Sequence, residues 1–339
     1  MKNLKALKPE IKNILLIRRN NIGDMICAIS VFKSIRMEFP NAHITVLADS
    51  INAGVVAGAS FVNEVLVYKK GRGIYKNKYF NYWRLFRENK RKYDLVIGVK
   101  RGFSSTLAAI TLISGARIRA GCMPDKWHPL QFCYNLPVNS CEKWRSLHQV
   151  DALLEFIKAI GIKNTVKDIS IEIPADSMNK ARDFLKAYPF THGDRGVVVF
   201  NVSNNKPENT WPLHKFKELG NMLCQKYNAA IIISSAPADR GKAEALTKGI
   251  AGNAVYFDSP KIMDFAAIAA KSNLLVCGEG GAMHVGASVK TPTISLWGSK
   301  RPRKWMPYGE RQFTVIKGEH VDSISAEDMM EVIKENNLL

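Results

Sequence analysis

The sequence predicts an α/β protein built from two successive doubly wound, Rossmann-like domains. Three observations carry that expectation. Short, nearly continuous apolar runs such as Ile14–Ile17 and Val197–Val202 read as buried strands, helical patterns alternate with them, and the rhythm fades after Gly121 and restarts near Val197. Strands buried on both faces lose the apolar–polar alternation of a half-exposed sheet, and strand–helix alternation implies parallel pairing through crossovers. At 339 residues the chain is also too long for one ordinary compact domain; two of about 150–170 residues each is the natural division.

In the first half, strand Ile14–Ile17 leads through a polar turn into a helix over Asp24–Phe39, stopped by Pro40 and Asn41. Strands His43–Leu47 and Val65–Tyr68, a basic helix Tyr79–Lys92, strand Asp94–Val99, helix Ser104–Ser114 and strand Arg117–Ala120 follow. A helix over Leu147–Ile160 ends at Gly161, a fitting C-cap. The second half repeats the pattern: strand Val197–Val202, helix Pro212–Tyr227, strand Ala229–Ser234, helices Asp239–Ile250 and Lys261–Ala270, strand Leu274–Cys277, helix Ala282–Val289 and strand Thr293–Trp297. Residues 1–165 and 175–325 are therefore assigned to the two domains, with a C-terminal helix within 326–339.

Hydrophobic residues make up 46% and charged residues 23%, a globular balance. No apolar run approaches the roughly 18–20 residues of a spanning helix, and no secretory leader is visible, so a cytoplasmic protein is expected. The six cysteines are scattered, without a CxxC pair or a neighbouring His at metal spacing, which predicts free thiols and no metal site. Charge is more informative. Lys plus Arg exceed Asp plus Glu by 49 to 30, and between Lys69 and Arg101 twelve basic residues face only Glu88 and Asp94. A second cluster is Lys300, Arg301, Arg303 and Lys304. Such fields attract polyanions, or they merely solvate the surface.

Four segments stand where ligands bind in doubly wound sheets, outside the carboxyl ends of strands. The first, Arg18-Arg19-Asn20-Asn21-Ile22-Gly23-Asp24, is not GxGxxG, which argues against an NAD-linked dehydrogenase. Two readings of Asp24 stand at this point, a helix N-cap or a general base. The second, Asn201-Val202-Ser203-Asn204-Asn205-Lys206 before Trp211-Pro212, is either ordinary turn chemistry or a grip for a diphosphate. The third, Gly278-Glu279-Gly280-Gly281-Ala282-Met283-His284, opens a helix whose N-terminus an anion could approach over the glycines. The fourth, Trp297 to Gly309, interleaves aromatic and basic residues as single-strand nucleic-acid binders do, but no nucleic-acid-binding module accompanies it.

In this order the segments resemble the heptosyltransferase family, glycosyltransferase family 9. The R-x-x-x-I-G-D phrase at Arg18–Asp24, the helix running into Phe39-Pro40-Asn41-Ala42, and the H-x-V-D at His148–Asp151 are similar to family motifs. So are Trp211-Pro212-Leu213, the turn ending in Met283-His284, Thr291-Pro292-Thr293 and Pro307-Tyr308-Gly309. The resemblance implies the GT-B architecture, two Rossmann-like domains facing across a cleft. It implies an inverting, metal-independent transfer of heptose from ADP-heptose to the lipopolysaccharide inner core, with no cofactor beyond the nucleotide-sugar. Asp24 takes the position of the catalytic base. The donor would meet Ser203, Asn204, Lys206, Glu279, Gly280, Gly281, Met283 and His284. An anionic glycolipid acceptor would meet Arg18, Arg19, Asn20, Lys100 and Arg101, at the cytoplasmic face of the inner membrane.

Two positions depart from the family pattern. The Lys often found two residues before Trp-Pro is Asn209, and the usual D-[TS]-G-x-x-H reads Glu279-Gly280-Gly281-Ala282-Met283-His284. These departures leave room for another nucleotide-sugar or for an inactive, polyanion-binding relative. A nucleotide-sugar epimerase on the same scaffold is the rival enzyme class.

Overall fold

A computed structural model describes residues 10–69, 77–89, 92–139, 144, 146–191, 195–298 and 303–339. The basic residues Lys70, Arg72, Lys76, Lys90, Arg91, Lys300 and Arg301 lie outside these ranges, as does Cys141. The chain divides into two compact units, Met1–Glu172 with Arg303–Trp305, and Ile173–Pro302 with Met306–Leu339.

Among the described residues the first unit holds six strands, β1 (Asn13–Ile17), β2 (His43–Asp49), β3 (Glu64–Tyr68), β4 (Leu95–Gly98), β5 (Ile118–Cys122) and β6 (Leu136–Val138). Their order in the sheet is β3-β2-β1-β4-β5-β6, with parallel pairing throughout. The crossovers carry helices α1 (Ile22–Glu38), α2 (Lys78–Asn89) and α3 (Ser105–Ile113), and α4 (Gln149–Ala159) follows the sheet. Tyr82 and Phe86 of α2 and Ile110 of α3 pack with Leu15, Ile17, Leu66 and Val96 in one cluster, while α1 packs against α4. Ile14–Ile17 are wholly buried, which is why β1 reads as an unbroken apolar run.

The second unit repeats the plan with β7 (Val197–Asn201), β8 (Ala230–Ser234), β9 (Ala254–Phe257), β10 (Leu274–Gly278), β11 (Thr293–Trp297) and β12 (Gln312–Ile316). The order is β12-β11-β10-β7-β8-β9, again parallel. Its helices are α5 (Ala175–Ala187), α6 (Leu213–Tyr227), α7 (Arg240–Gly249), α8 (Ile262–Ala270), α9 (Gly281–Ser288) and α10 (Ala326–Glu335). α5 packs on α8 and α10 on α6, so the C-terminal helix is part of this unit. Strands β6, β9 and β12 and helix α5 were not evident in the sequence. β6 is three residues long with Pro137 in its middle, and α5 sets only a short, mostly half-buried stripe of Met178, Ala181, Phe184 and Leu185 among five charged residues, so neither stands out as a pattern.

In each sheet the strand order reverses direction at one place, between β1 and β4 and between β7 and β10. The register sets Ile17 level with Gly98, and Cys277 level with Asn201. The loops after those strands therefore leave the sheet side by side, at the topological switch points where doubly wound folds hold ligands.

One ion pair ties α1 to the segment that ends the first unit. Lys33 Nζ donates to Asp168 Oδ2 at 2.6 Å and to the Ser170 carbonyl at 2.8 Å. Partial burial alone would raise the Asp168 pKa, but the bonds from Lys33 and Ser170 outweigh it and hold the carboxyl at about 2, against an ordinary 3.8. A depressed carboxylate stabilises the fold above its unfolded pKa, and that contribution is lost as pH falls through the folded value. Stability is expected to fall between pH 4 and 2, and Lys33→Met should flatten that part of the profile in denaturant titrations at stepped pH.

Candidate active site

At the first switch point, Arg18 organises the turn. Its guanidinium is buried; Nε donates to the Asp24 carbonyl at 2.9 Å and Nη1 to the Val99 carbonyl at 2.8 Å. Nη2 closes a short ion pair with Asp24 Oδ1. Burial pushes the Arg18 pKa down, and the Asp24 charge opposes it. Asp24 is the third residue of α1 and not its N-cap. That position belongs to Asn21, whose N–H reaches Asp24 Oδ2 at 3.4 Å in a capping box. An acid there satisfies a free amide and complements the helix dipole. The carboxylate is thus ion-paired, oriented and 12% exposed, so it can be reached from outside.

A residue that sequence reasoning missed steadies this turn. Asn52 is fully buried; its amide donates to the Asn20 carbonyl at 2.8 Å and its oxygen accepts the Asp49 N–H at 3.0 Å. Nothing near Asn52 in sequence signals this contact, because the turn it serves lies about thirty residues away. Arg19 lies over the rings of Tyr82 and Tyr68, 5.0 and 5.4 Å from their centroids, and 3.8 Å from Asp49. A pocket of about 220 Å³ opens between the β1 and β4 loops, lined chiefly by Arg18, Arg19, Asn20, Lys100, Ser104 and Thr106. Ser104 caps α3 by accepting the Leu107 N–H, so the positive end of that helix adds to three cations. Burial, then the neighbouring Arg18 charge, pushes down the pKa values of Lys100 and Arg101. Arg101 does not line the pocket; it donates to the Trp144 carbonyl at 3.2 Å. Cys27 is no rival nucleophile, because burial pushes its thiol up to about 12.

At the second switch point, side chains join the two loops. Asn204 Nδ2 donates to the Glu279 carbonyl at 2.7 Å and the Asn209 carbonyl at 3.3 Å. Asn209 Nδ2 makes a short bond to Glu279 Oε2, and Lys206 Nζ stands 3.9 Å from Oε1. The two departures from the expected pattern, Asn209 and Glu279, are therefore partners: the longer acid reaches the shorter amide. Ser203 is occupied, accepting the Ala236 N–H and donating to Asp239, both at 2.8 Å. Gly280 and Gly281 open α9, while Met283 and His284 are buried in its first turns. Trp211, fully buried, donates from Nε1 to the Ile324 carbonyl at 3.0 Å and anchors the end of the first loop.

Gly278 has no room for a side chain beside the neighbouring loop. A Cβ there would stand 2.4 Å from the Asn209 carbonyl oxygen and 3.1 Å from Asn204 Nδ2. The obstacle is backbone, which cannot swing aside. Gly278→Ala is expected to cost about 1–3 kcal/mol of stability and to part the loops; thermal denaturation and nucleotide calorimetry on the purified variant check both.

The family model described as glycosyltransferase family 9 (heptosyltransferase) matches residues 82–333, well over half of the chain. The chain belongs to glycosyltransferase family 9. It is accordingly a glycosyltransferase. Among similar proteins, a lipooligosaccharide heptosyltransferase 2 of Haemophilus influenzae is 23% identical over 314 residues, covering 90% of this chain and 88% of the relative. The structure of a family 9 glycosyl transferase from Veillonella parvula superposes with a TM-score of 0.81 at 20% identity, covering 96% of both chains. The E. coli heptosyltransferase WaaC, solved with ADP-2-deoxy-2-fluoro heptose, superposes with a TM-score of 0.75 at 19% identity, covering 96% of this chain and 99% of that one. The family 9 chain thus has the GT-B fold expected of it. Among the described residues, no helix is long and apolar enough to cross a membrane, and no group of three or more His, Cys, Asp or Glu side chains could hold a metal ion.

Proposed function

We propose that this family 9 enzyme transfers heptose from ADP-heptose to a lipopolysaccharide inner-core acceptor, with inversion and without a metal, at the cytoplasmic face of the inner membrane. The observation that carries the reading is the Arg18–Asp24 pair beside a cationic pocket. Asp24 accepts the proton of the acceptor hydroxyl as its oxygen attacks the anomeric carbon. The bond from that carbon to the diphosphate breaks, and ADP leaves. Arg18, Arg19, Asn20 and Lys100 hold an anionic acceptor group in the pocket, with Arg101 behind them.

In the second unit, Gly280 and Gly281 admit the diphosphate to the N-terminus of α9, whose free amides stabilise the leaving charge. Lys206, 60% exposed, swings onto the phosphates. Glu279 and Asn204 face the nucleoside or sugar, while Ser203, Met283 and His284 shape the loops. Relatives bearing the heptosyltransferase name, and WaaC in complex with an ADP-heptose analogue, support the donor assignment.

The Asn209–Glu279 bond favours a second reading, a donor other than ADP-heptose, because it occupies the carboxylate and leaves Lys206 as the nearby cation. Calorimetric titration of ADP, UDP and GDP in the presence of EDTA separates the two. ADP selectivity supports the heptose reading. Preference for UDP or GDP would replace it with another nucleotide-sugar, and binding of none would favour an inactive, polyanion-binding relative.

A further inference from the structure

The outward face of α2 carries chemistry that a solvated helix does not need. Its buried positions are Asn81, Tyr82 and Phe86. The opposite stripe, at the i, i+3, i+4, i+7 spacing of one helix face, is Phe80, Trp83, Arg84 and Arg87. Phe80 and Trp83 are 46% and 44% exposed, their ring centroids 5.6 Å apart. The Arg87 guanidinium lies 5.1 Å from the Trp83 ring. Glu88, the one acid in α2, is paired with Arg84 at 3.3 Å. α2 packs on α3, and α3 packs on the turn Pro129–Cys133. Around α3 the exposure continues, with Leu112 at 50%, Trp127 at 72% and Phe132 at 71%.

Aromatic rings beside arginines are the composition of a membrane–water interface, where the ring lies at headgroup level and the guanidinium binds lipid phosphate. Charge selects the occupant. A second copy of a chain with net charge +19 would set Arg84 and Arg87 against their own counterparts, whereas an anionic bilayer attracts both. We infer that α2 is the membrane-docking element, with Phe80 and Trp83 entering the headgroup layer of an anionic phospholipid bilayer and Arg84 and Arg87 binding its phosphates. This deepens the membrane contact of the proposed function and does not depend on the heptose assignment.

The test is co-sedimentation of the full chain with vesicles of phosphatidylglycerol and phosphatidylcholine, against phosphatidylcholine alone. The wild type is expected to bind the anionic vesicles at least tenfold more tightly. Phe80→Ser with Trp83→Ser should lower that affinity at least tenfold at every salt concentration. Arg84→Gln with Arg87→Gln should lower it chiefly at low salt, where charge is least screened. Brominated acyl chains should quench wild-type tryptophan emission, and less so that of Trp83→Phe. Melting temperature and transfer to a lipid-free acceptor should be unchanged in the Phe80/Trp83 variant, which separates docking from folding and from catalysis. Undiminished binding by that variant would overturn the inference. So would a concentration-dependent dimer in light scattering that the variant loses, which would assign the face to self-association. If no protein transfers sugar, the functional reading fails while the vesicle result still decides this one.

Discussion

Replacing Asp24 by asparagine is expected to lower sugar transfer by about 10²–10⁴-fold, the range for loss of a general base, with the fold intact. The choice of asparagine matters. Arg18 is 3% exposed and its charge is met by Asp24, so Asp24→Ala leaves a buried guanidinium with neither a counter-charge nor an acceptor at Nη2. Breaking a buried pair from one side costs about 3–5 kcal/mol, and the alanine variant would confuse lost chemistry with lost stability. Asparagine keeps one oxygen for Arg18 but gives up the acceptor for the Asn21 N–H and the negative charge, and it cannot take a proton. Steady-state kinetics with both substrates, beside thermal denaturation, checks this: kcat falls while nucleotide affinity stays near wild type and the melting temperature falls less than in the alanine variant. A variant keeping most of its activity would leave Asp24 as a helix-capping residue only.

The largest effect on stability is expected from Trp211→Ala. Trp211 is fully buried, packs edge-on against Phe216 at 4.8 Å and holds the Ile324 carbonyl at 3.0 Å. Removing a buried tryptophan costs about 3–5 kcal/mol, on the order of 10 °C in melting temperature for a domain of this size. It also removes one of the two bonds to the Ile324 carbonyl and leaves Lys215 as its partner. Trp211 ends the loop that carries Asn204 and Asn209, so the surviving folded protein should bind nucleotide more weakly as well. Differential scanning calorimetry with and without nucleotide tests this, and a shift below about 3 °C would show that the site collapses around the gap.

What the sequence disclosed and what it hid follow from the range of the interactions. Strands β1, β7, β8 and β10 are buried on both faces, so their apolar runs were legible without any knowledge of partners. The first three polar segments were legible as well, because each follows such a strand. The role of Asp24 within its helix was not. Its place at the third position depends on Ile22 and Gly23 being helical, a boundary shift of two residues that pattern reading does not resolve. Asn52, which pins the Arg18 turn, and the Asn209–Glu279 bond join residues about thirty and seventy positions apart, respectively. Each looks like an ordinary polar residue until the sheet order brings its loop beside another. Ser203 shows the converse. It reads as a phosphate-binding hydroxyl, and in the fold its hydrogen bonds are already made to Ala236 and Asp239.

Sugar transfer itself can be followed in a single assay. The purified chain is incubated with ADP-heptose and an inner-core lipopolysaccharide acceptor lacking that heptose, with EDTA present, and the product is followed by mass spectrometry. The expected result is an acceptor heavier by one heptose residue, ADP released in equal amount, and product formed at least about a hundredfold more slowly with Asp24→Asn. Absence of the heavier acceptor, in a preparation that binds ADP and melts cooperatively, would contradict it.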